Sequence, residues 1–552
     1  MSNLKALPKD WKSIVLSKRE ALFARIPEAW RLSSVPAANE LRDAVHFPRQ
    51  FMSERAYDIT ETLDARALLD KIASGHYTAY EVVEAFCHRA AIAQQVVNCL
   101  TEINFEDALA RARELDDYFR VHERTIGPLH GLPVSLKDQF RVKGTNAALG
   151  LVSFIDAVDT SETESFLVKE LRDLGAIIYV KTTVPTAVSH IDCHNNVTGQ
   201  TYSPVNRFMS SGGSSGGEGA LIAMHGSIIG IGTDIGASTR LPAAVNGIYG
   251  IRPSHGRLPY LGVRELIVGN TSAPFVPGPL GAKLSNIQMM TEAILGRKPW
   301  IHDPRVAEMP WRVSEYEDIH ERGKHGDLVF GILTFDGGVM PQPPILRALK
   351  EVVNWAPPAH TDGSKIMTEL FVADGGAKIH EAHTRSGEPP NSLVTGIFGK
   401  TAIEPMSLAD FFDVNERRYR YQQAYTEYWN STARLTKSGR PVDAVILPTF
   451  PGSSFRPGDG LYYDYTAIVN LLDYTAAIVP WSHVDKNKDL LNFDYKAATT
   501  VDRLIHSHYD PEIFDGAPVA LQIMGRRFQE ERVLAVAKVI DELAYLGAHS
   551  RL

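Results

Sequence analysis

An α/β protein with helices on both faces of a sheet is what this chain predicts, and three observations carry the expectation. From about Gly127 onward, short apolar runs bounded by glycine and proline alternate with stretches of helical periodicity. A length of 552 residues with 44% hydrophobic content supports a large core. No long linker, internal repeat or low-complexity stretch divides the chain, so one large domain with a helical N-terminal arm accounts for it.

The elements follow in order. Asp10 is placed to cap a helix in which Trp11, Ile14, Val15, Leu22, Phe23 and Ile26 recur at helical spacing, ending near Pro27. A second helix runs from about Leu63 to Gly75. Thr78 followed by Glu81 forms a capping box that opens a third, with Val82, Val83, Phe86 and Ala90 on one face. A fourth spans Phe105 to Phe119. The pattern then changes. Turn residues from Gly127 lead into a short strand whose alternation sends Val134 and Leu136 to one face and Ser135 and Lys137 to the other. Ser161 with Glu164 predicts a capped helix ending at Gly175, and residues 176–180 a buried strand. A helix is expected after Gly217, a strand over residues 228–231, and a helix from Ile287 to Leu295. Asp327 to Leu333 reads as a strand and Ile345 to Asn354 as a helix. Strands starting at Asp443 and Ala476 are expected to end at Pro448 and Pro480. Val519 to Gly525 reads as the last strand, before a closing helix from about Glu530 to Leu546.

Composition narrows the function. The formal net charge is −8 with both signs mixed along the chain, which argues against a nucleic-acid partner. Cys87, Cys99 and Cys193 have no metal-ligand spacing and read as ordinary thiols in a reducing compartment. The basic N-terminal residues interrupt any signal peptide. No uninterrupted apolar run approaches the roughly 18 residues of a membrane helix. A cytoplasmic protein is expected, with a peroxisomal location set beside it because Ser550-Arg551-Leu552 matches the Ser-Lys-Leu address with one basic residue exchanged.

The chemistry concentrates between Asn206 and Arg257, in two serine-bearing glycine loops: residues 210–220 and 232–242. Hydroxyls held between glycine-rich backbone amides suit acyl transfer, where a serine attacks and N–H groups receive the negative oxygen. Taken alone, Gly212-x-Ser214-x-Gly216 and Gly213-x-Ser215-x-Gly217 also match a nucleophile elbow, although residues 204–209 make a poor preceding strand. A plain glycine-rich turn fits either motif by itself.

Several motifs in order sharpen the reading. Residues 131–138 (Gly-Leu-Pro-Val-Ser-Leu-Lys-Asp), the double-glycine, double-serine loop, residues 232–238 (Gly-Thr-Asp-Ile-Gly-Ala-Ser), residues 250–257 and residues 516–525 together resemble the amidase signature family, and the chain looks closest to its fungal acetamidase branch. The resemblance implies a single large mixed, twisted sheet covered on both faces by helices. It divides the chain into an arm (1–60), an amidase signature domain (61–546) and a short tail (547–552). It also implies a Ser-Ser-Lys triad: Ser238 as nucleophile, Ser214 as the bridging hydroxyl, at a position that carries a cis peptide in the family, and Lys137 as base. Backbone N–H groups of Ile235, Gly236, Ala237 and Ser238 would form the oxyanion hole. Gly213, Ser215, Thr233, Asp234 and Arg240 would support the site, with Asp234 a buried carboxylate satisfied by backbone or Arg240. His190 follows a segment that lines the acyl pocket in relatives. No cofactor and no metal is implied. The expected partner is a small-molecule amide, with no nucleic acid and no membrane, and a homodimer is carried as the assembly.

Three departures stand out. Ala237 replaces the usual glycine, and a positive φ there would cost on the order of 1 kcal/mol. Thr239 replaces an aliphatic residue. After Asn354 the helix end and returning strand found in relatives are missing. Two other functions therefore stay open: an impaired relative acting as a binding protein, and a Ser-His-Asp esterase built on Ser214 or Ser215.

Overall fold

The computed structural model describes residues 10–349 and 355–549. The tail from Ser550 and the second half of the helix expected up to Asn354 lie outside them. Twelve strands occur among the described residues: β1 Leu100–Ile103, β2 Pro133–Lys137, β3 Ile177–Thr182, β4 His194–Asn195, β5 Gly199–Gln200 and β6 Ile229–Asp234 in the first half. The second half adds β7 Tyr249–Arg252, β8 Val276–Gly281, β9 Phe330–Ile332, β10 Ala444–Leu447, β11 Ala476–His483 and β12 Pro518–Met524. Ten of them form one sheet in the order β1-β3-β2-β6-β8-β7-β11-β12-β10-β9, and β4 pairs with β5. The sheet is mixed. β2 runs parallel to β3 and β6, and β9 parallel to β10, while the other neighbours are antiparallel.

Period-two burial shows why helices cover both faces. In β10, Val445 and Leu447 join a core with Tyr425 and Trp429 of the helix Leu408–Ser431. Ala444 and Ile446 join another with Val533 and Ala537 of the closing helix Glu530–His549. Strands apolar on both sides need such cover. At the other end, the helix Ala79–Val97 packs Val82, Val83 and Phe86 against Val134 and Leu136 of β2. Its capping box forms as expected: the Thr78 hydroxyl accepts from Glu81 N and the Glu81 carboxylate from Thr78 N, both at 3.0 Å.

Several local expectations change. Asp10 stands at the N-cap of the helix Trp11–Ala24, but its carboxylate takes the Ser13 hydroxyl rather than a backbone amide. The helix expected from Ser161 begins at Phe166. The Glu164 carboxylate accepts from Lys143 N and the Ser165 hydroxyl from Arg141 N, each at 2.9 Å, so these side chains tie down the neighbouring loop. β11 does not stop at Pro480; a register shift between Pro480 and Ser482 carries it to His483. The strand expected from Asp327 is shortened to three residues at the sheet edge. There Trp355 covers the side where a returning strand was missed. Its N–H donates to Ile332 O at 2.8 Å, and its indole occupies the space beside Gly331. Among the described residues no helix is long and apolar enough to cross a membrane.

One close approach seats the helix Gly216–Ala223 against the ends of β1 and β3. A Cβ at Gly217 would stand 2.4 Å from Thr183 N and 2.5 Å from Cys99 O. Gly217→Ala is expected to lower stability by about 1–3 kcal/mol through overpacking, seen as an earlier midpoint in chemical denaturation.

Candidate active site

Lys137 ends β2, flanked by parallel β3 and β6, where water cannot reach its amine. Alternation puts Ser135 and Lys137 on the side facing the helix Gly216–Ala223: the Ser135 hydroxyl donates to Glu218 at 2.6 Å. The loop before that helix supplies Ser214, whose peptide bond with Gly213 is cis. Lys137 Nζ lies 2.7 Å from Ser214 Oγ, 2.8 Å from Thr233 Oγ1 and 3.2 Å from Thr233 O. The Thr233 hydroxyl gives its own proton to Gln139 Oε1. Towards Lys137 it is therefore an acceptor, as is its carbonyl. Two N–H bonds of a neutral amine are directed to Thr233, leaving the lone pair for Ser214. Burial lowers the Lys137 pKa to about 7, although the carboxylates of Asp234, Glu218 and Asp138 pull the other way.

β6 ends at Asp234, and the chain turns through Ile235-Gly236-Ala237-Ser238 into the helix Arg240–Asn246. Asp234 organises this turn. Its carboxylate accepts from Thr239 N at 3.0 Å, from Arg240 Nη2 at 2.9 Å and from Asn470 Nδ2 at 2.9 Å. Burial pushes this carboxyl up, but Arg240 and these hydrogen bonds outweigh it and hold the group well below the usual range. The substituted Thr239 fits here, since its hydroxyl adds a bond to Asp234 at 3.1 Å. Among the described residues, the N–H groups of Ile235, Gly236, Ala237 and Ser238 donate to no protein acceptor. All four residues line a cavity of about 270 Å³. Ser215 N donates to Ser238 O at 3.1 Å, which ties the two serine loops together. Lys137 and Ser214 are thus in contact, whereas the Ser238 hydroxyl has no hydrogen bond to Ser214.

The supporting residues divide. Gly213 sits where a Cβ would fall 2.6 Å from His190 O, so only glycine fits. The Ser215 hydroxyl donates to Thr233 O at 3.3 Å. His190 lines the cavity, its Nδ1 accepting from Asp192 N at 2.9 Å. Burial lowers its pKa to about 4, so the ring is neutral near pH 7. No histidine meets Ser214 or Ser215, and the Ser-His-Asp arrangement is not formed among the described residues. Gln139, Glu218 and Tyr463 were not foreseen. Glu218 had a readable signal, a carboxylate inside an otherwise apolar helix; burial raises its pKa to about 7 against bonds from Ser135 and Thr182. Tyr463, Met367 and Phe371 reach the cavity from segments more than a hundred residues beyond Ser238 and had none. Among the described residues no group of three or more His, Cys, Asp or Glu is placed to hold a metal ion.

The concern over Ala237 is corrected. It is not among the residues with positive φ, and its methyl packs with Ile191, Leu241 and Val245. Ala237→Gly is therefore expected to lose about 1 kcal/mol of stability, by added backbone freedom and lost packing, without any gain in turnover; thermal melts and steady-state rates check both.

A model of the Amidase family matches residues 81–534. The acetamidase of Emericella nidulans is 40% identical over 550 residues, covering 97% of this chain and 99% of that one. The acetamidase of Aspergillus oryzae is 38% identical over 547 residues, with 97% and 99% coverage. Among solved structures, a fatty acid amide hydrolase superposes with a TM-score of 0.90 at 31% identity, covering 97% of this chain and 95% of the other.

Proposed function

The chain belongs to the Amidase family and is a hydrolase acting on amides; from that premise we propose that it cleaves small carboxylic amides through Lys137, Ser214 and Ser238. The observation that carries this reading is the buried amine of Lys137 held 2.7 Å from Ser214 Oγ, with its other acceptors both on Thr233. A lysine in water, with its pKa near 10.4, is a poor base at neutral pH. Here desolvation brings it to about 7, so a large share is neutral and able to accept a proton.

In the complex with substrate the Ser238 hydroxyl hydrogen-bonds Ser214, as the relay requires. Lys137 then takes the Ser214 proton while Ser214 takes that of Ser238. The Ser238 oxygen attacks the amide carbon, and the carbonyl oxygen becomes an anion facing the unused N–H groups of Ile235 to Ser238. Each such donor is worth about 3 kcal/mol in the transition state. When the tetrahedral species collapses, the C–N bond breaks and the nitrogen leaves with a proton returned through Ser214. Water, deprotonated along the same path, attacks the acyl-enzyme, and the acid departs as Ser238 recovers its proton. The cavity walls from Met367, Phe371, Leu393, Ile397 and Tyr463 are apolar around a volume of about 270 Å³. They suit an acyl chain longer than acetyl.

Ser238→Ala and Lys137→Ala should each lower kcat/KM for a short aliphatic amide by about 10⁴-fold or more, and a fluorophosphonate should label Ser238 in the unmodified protein. Turnover by either variant at the parent rate would overturn the assignment. The base works in its neutral form, so kcat/KM should rise with pH and reach half its plateau near pH 7, where Lys137 loses its proton. A flat profile between pH 5.5 and 8.5 would contradict a lysine base.

A further inference from the structure

A second cavity, of about 60 Å³, adjoins the first and shares Val188, Ser189, Ile235 and Phe371 with it. Most of its wall is apolar, including Leu149, Phe275 and Phe398. Its polar or charged side chains are Gln139, Ser189, Glu265, Asn270 and Asp374, and all but Glu265 are engaged in hydrogen bonds within the protein. Gln139 takes the Thr233 hydroxyl and donates to Arg264 O at 3.2 Å. Asn270 accepts from Ala273 N at 3.3 Å, and Asp374 accepts from Gly376 N at 2.9 Å and Lys378 N at 3.2 Å. The Ser189 hydroxyl donates to Thr186 O at 2.9 Å.

Glu265 differs. Tyr260 and Arg305 both favour its charged form, but Arg305 pairs with Asp303 at 3.4 Å. Among the described residues Glu265 has no ion-pair partner. Burial raises its pKa to about 7, although Arg305 and Tyr260 pull the other way. A carboxylate on a mostly apolar cavity wall, with no ion-pair partner among the described residues, is a recognition point for a donor, and a cation relieves its desolvation best.

We propose that Glu265 binds a protonated amino group carried by the amide substrate at the end remote from the scissile bond, so that the enzyme prefers amino-bearing amides to their methyl-ended isosteres. This rests on the amide-hydrolase reading and adds a substrate class to it. The apolar walls between Ser238 and Glu265 would hold the intervening methylenes.

The test compares ω-amino alkanamides with two to six methylenes, and N-(ω-aminoalkyl) amides of the same lengths, with methyl-ended partners. At least one amino compound should exceed its partner in kcat/KM by about tenfold or more. In Glu265→Gln, which keeps the shape and removes the charge, that advantage should vanish while the methyl-ended amides turn over as before. Calorimetry on Ser238→Ala, with and without Glu265→Gln, reads binding of the same pairs apart from chemistry. A preference for the ammonium in the single variant that is lost in the double variant supports the subsite even if no amide is cleaved. Equal handling of both ends in every length, or a preference that survives Glu265→Gln, would overturn it; in the former case, cleavage of the methyl-ended amides would leave the hydrolase reading standing.

Discussion

Stripping water from one amine is the constraint on which the centre of this protein turns. Lys137 can lose its solvent because β2 lies between two parallel neighbours, and because the loop holding Ser214 closes over the strand's end. A buried cation without acceptors would be costly. Thr233 supplies two, and its own proton is committed to Gln139. The same contacts that make burial tolerable also orient the lone pair. Solvation, geometry and proton affinity are thus set by one small group of residues.

The opposite solution is used a few residues away. Asp234 and Arg240 are both fully buried and both charged, joined at 2.9 Å. Such a pair contributes little net stability by itself, but removal of either partner strands a charge. What it does here is positional. Arg240 also donates to Thr466 O, Gln522 Oε1 and Asn470 Oδ1, linking the turn that bears Ser238 to the helix Asp464–Leu472 and to β12. The turn's four unused N–H groups stay open to the cavity because the carboxylate draws Thr239 N inward instead.

Much of the frame was legible. The capping box at Thr78, the alternation at Ser135 and Lys137, and the order of the serine loops are local patterns, and local patterns encode which way neighbouring side chains point. Where expectation and structure part, a distant contact has taken over a local signal. Glu164 looked like a cap partner but serves Lys143 N; Pro480 looked like a stop but sits before a bulge. Ala237 looked like a strained substitution, yet its backbone has no need of glycine and its methyl fills space made by Ile191 and Val245.

By itself, then, the chain determined its strands and helices near the centre, the side of β2 on which Lys137 lies, and the glycine positions that let backbone approach backbone. Tertiary structure alone decided that Gln139 would orient Thr233, that Trp355 would cover the edge of β9, and that Glu265 would line a cavity adjoining the one at Ser238. Periodicity and capping act over a few residues, whereas a cavity wall is assembled from segments hundreds of residues apart. Only packing sets which of them meet.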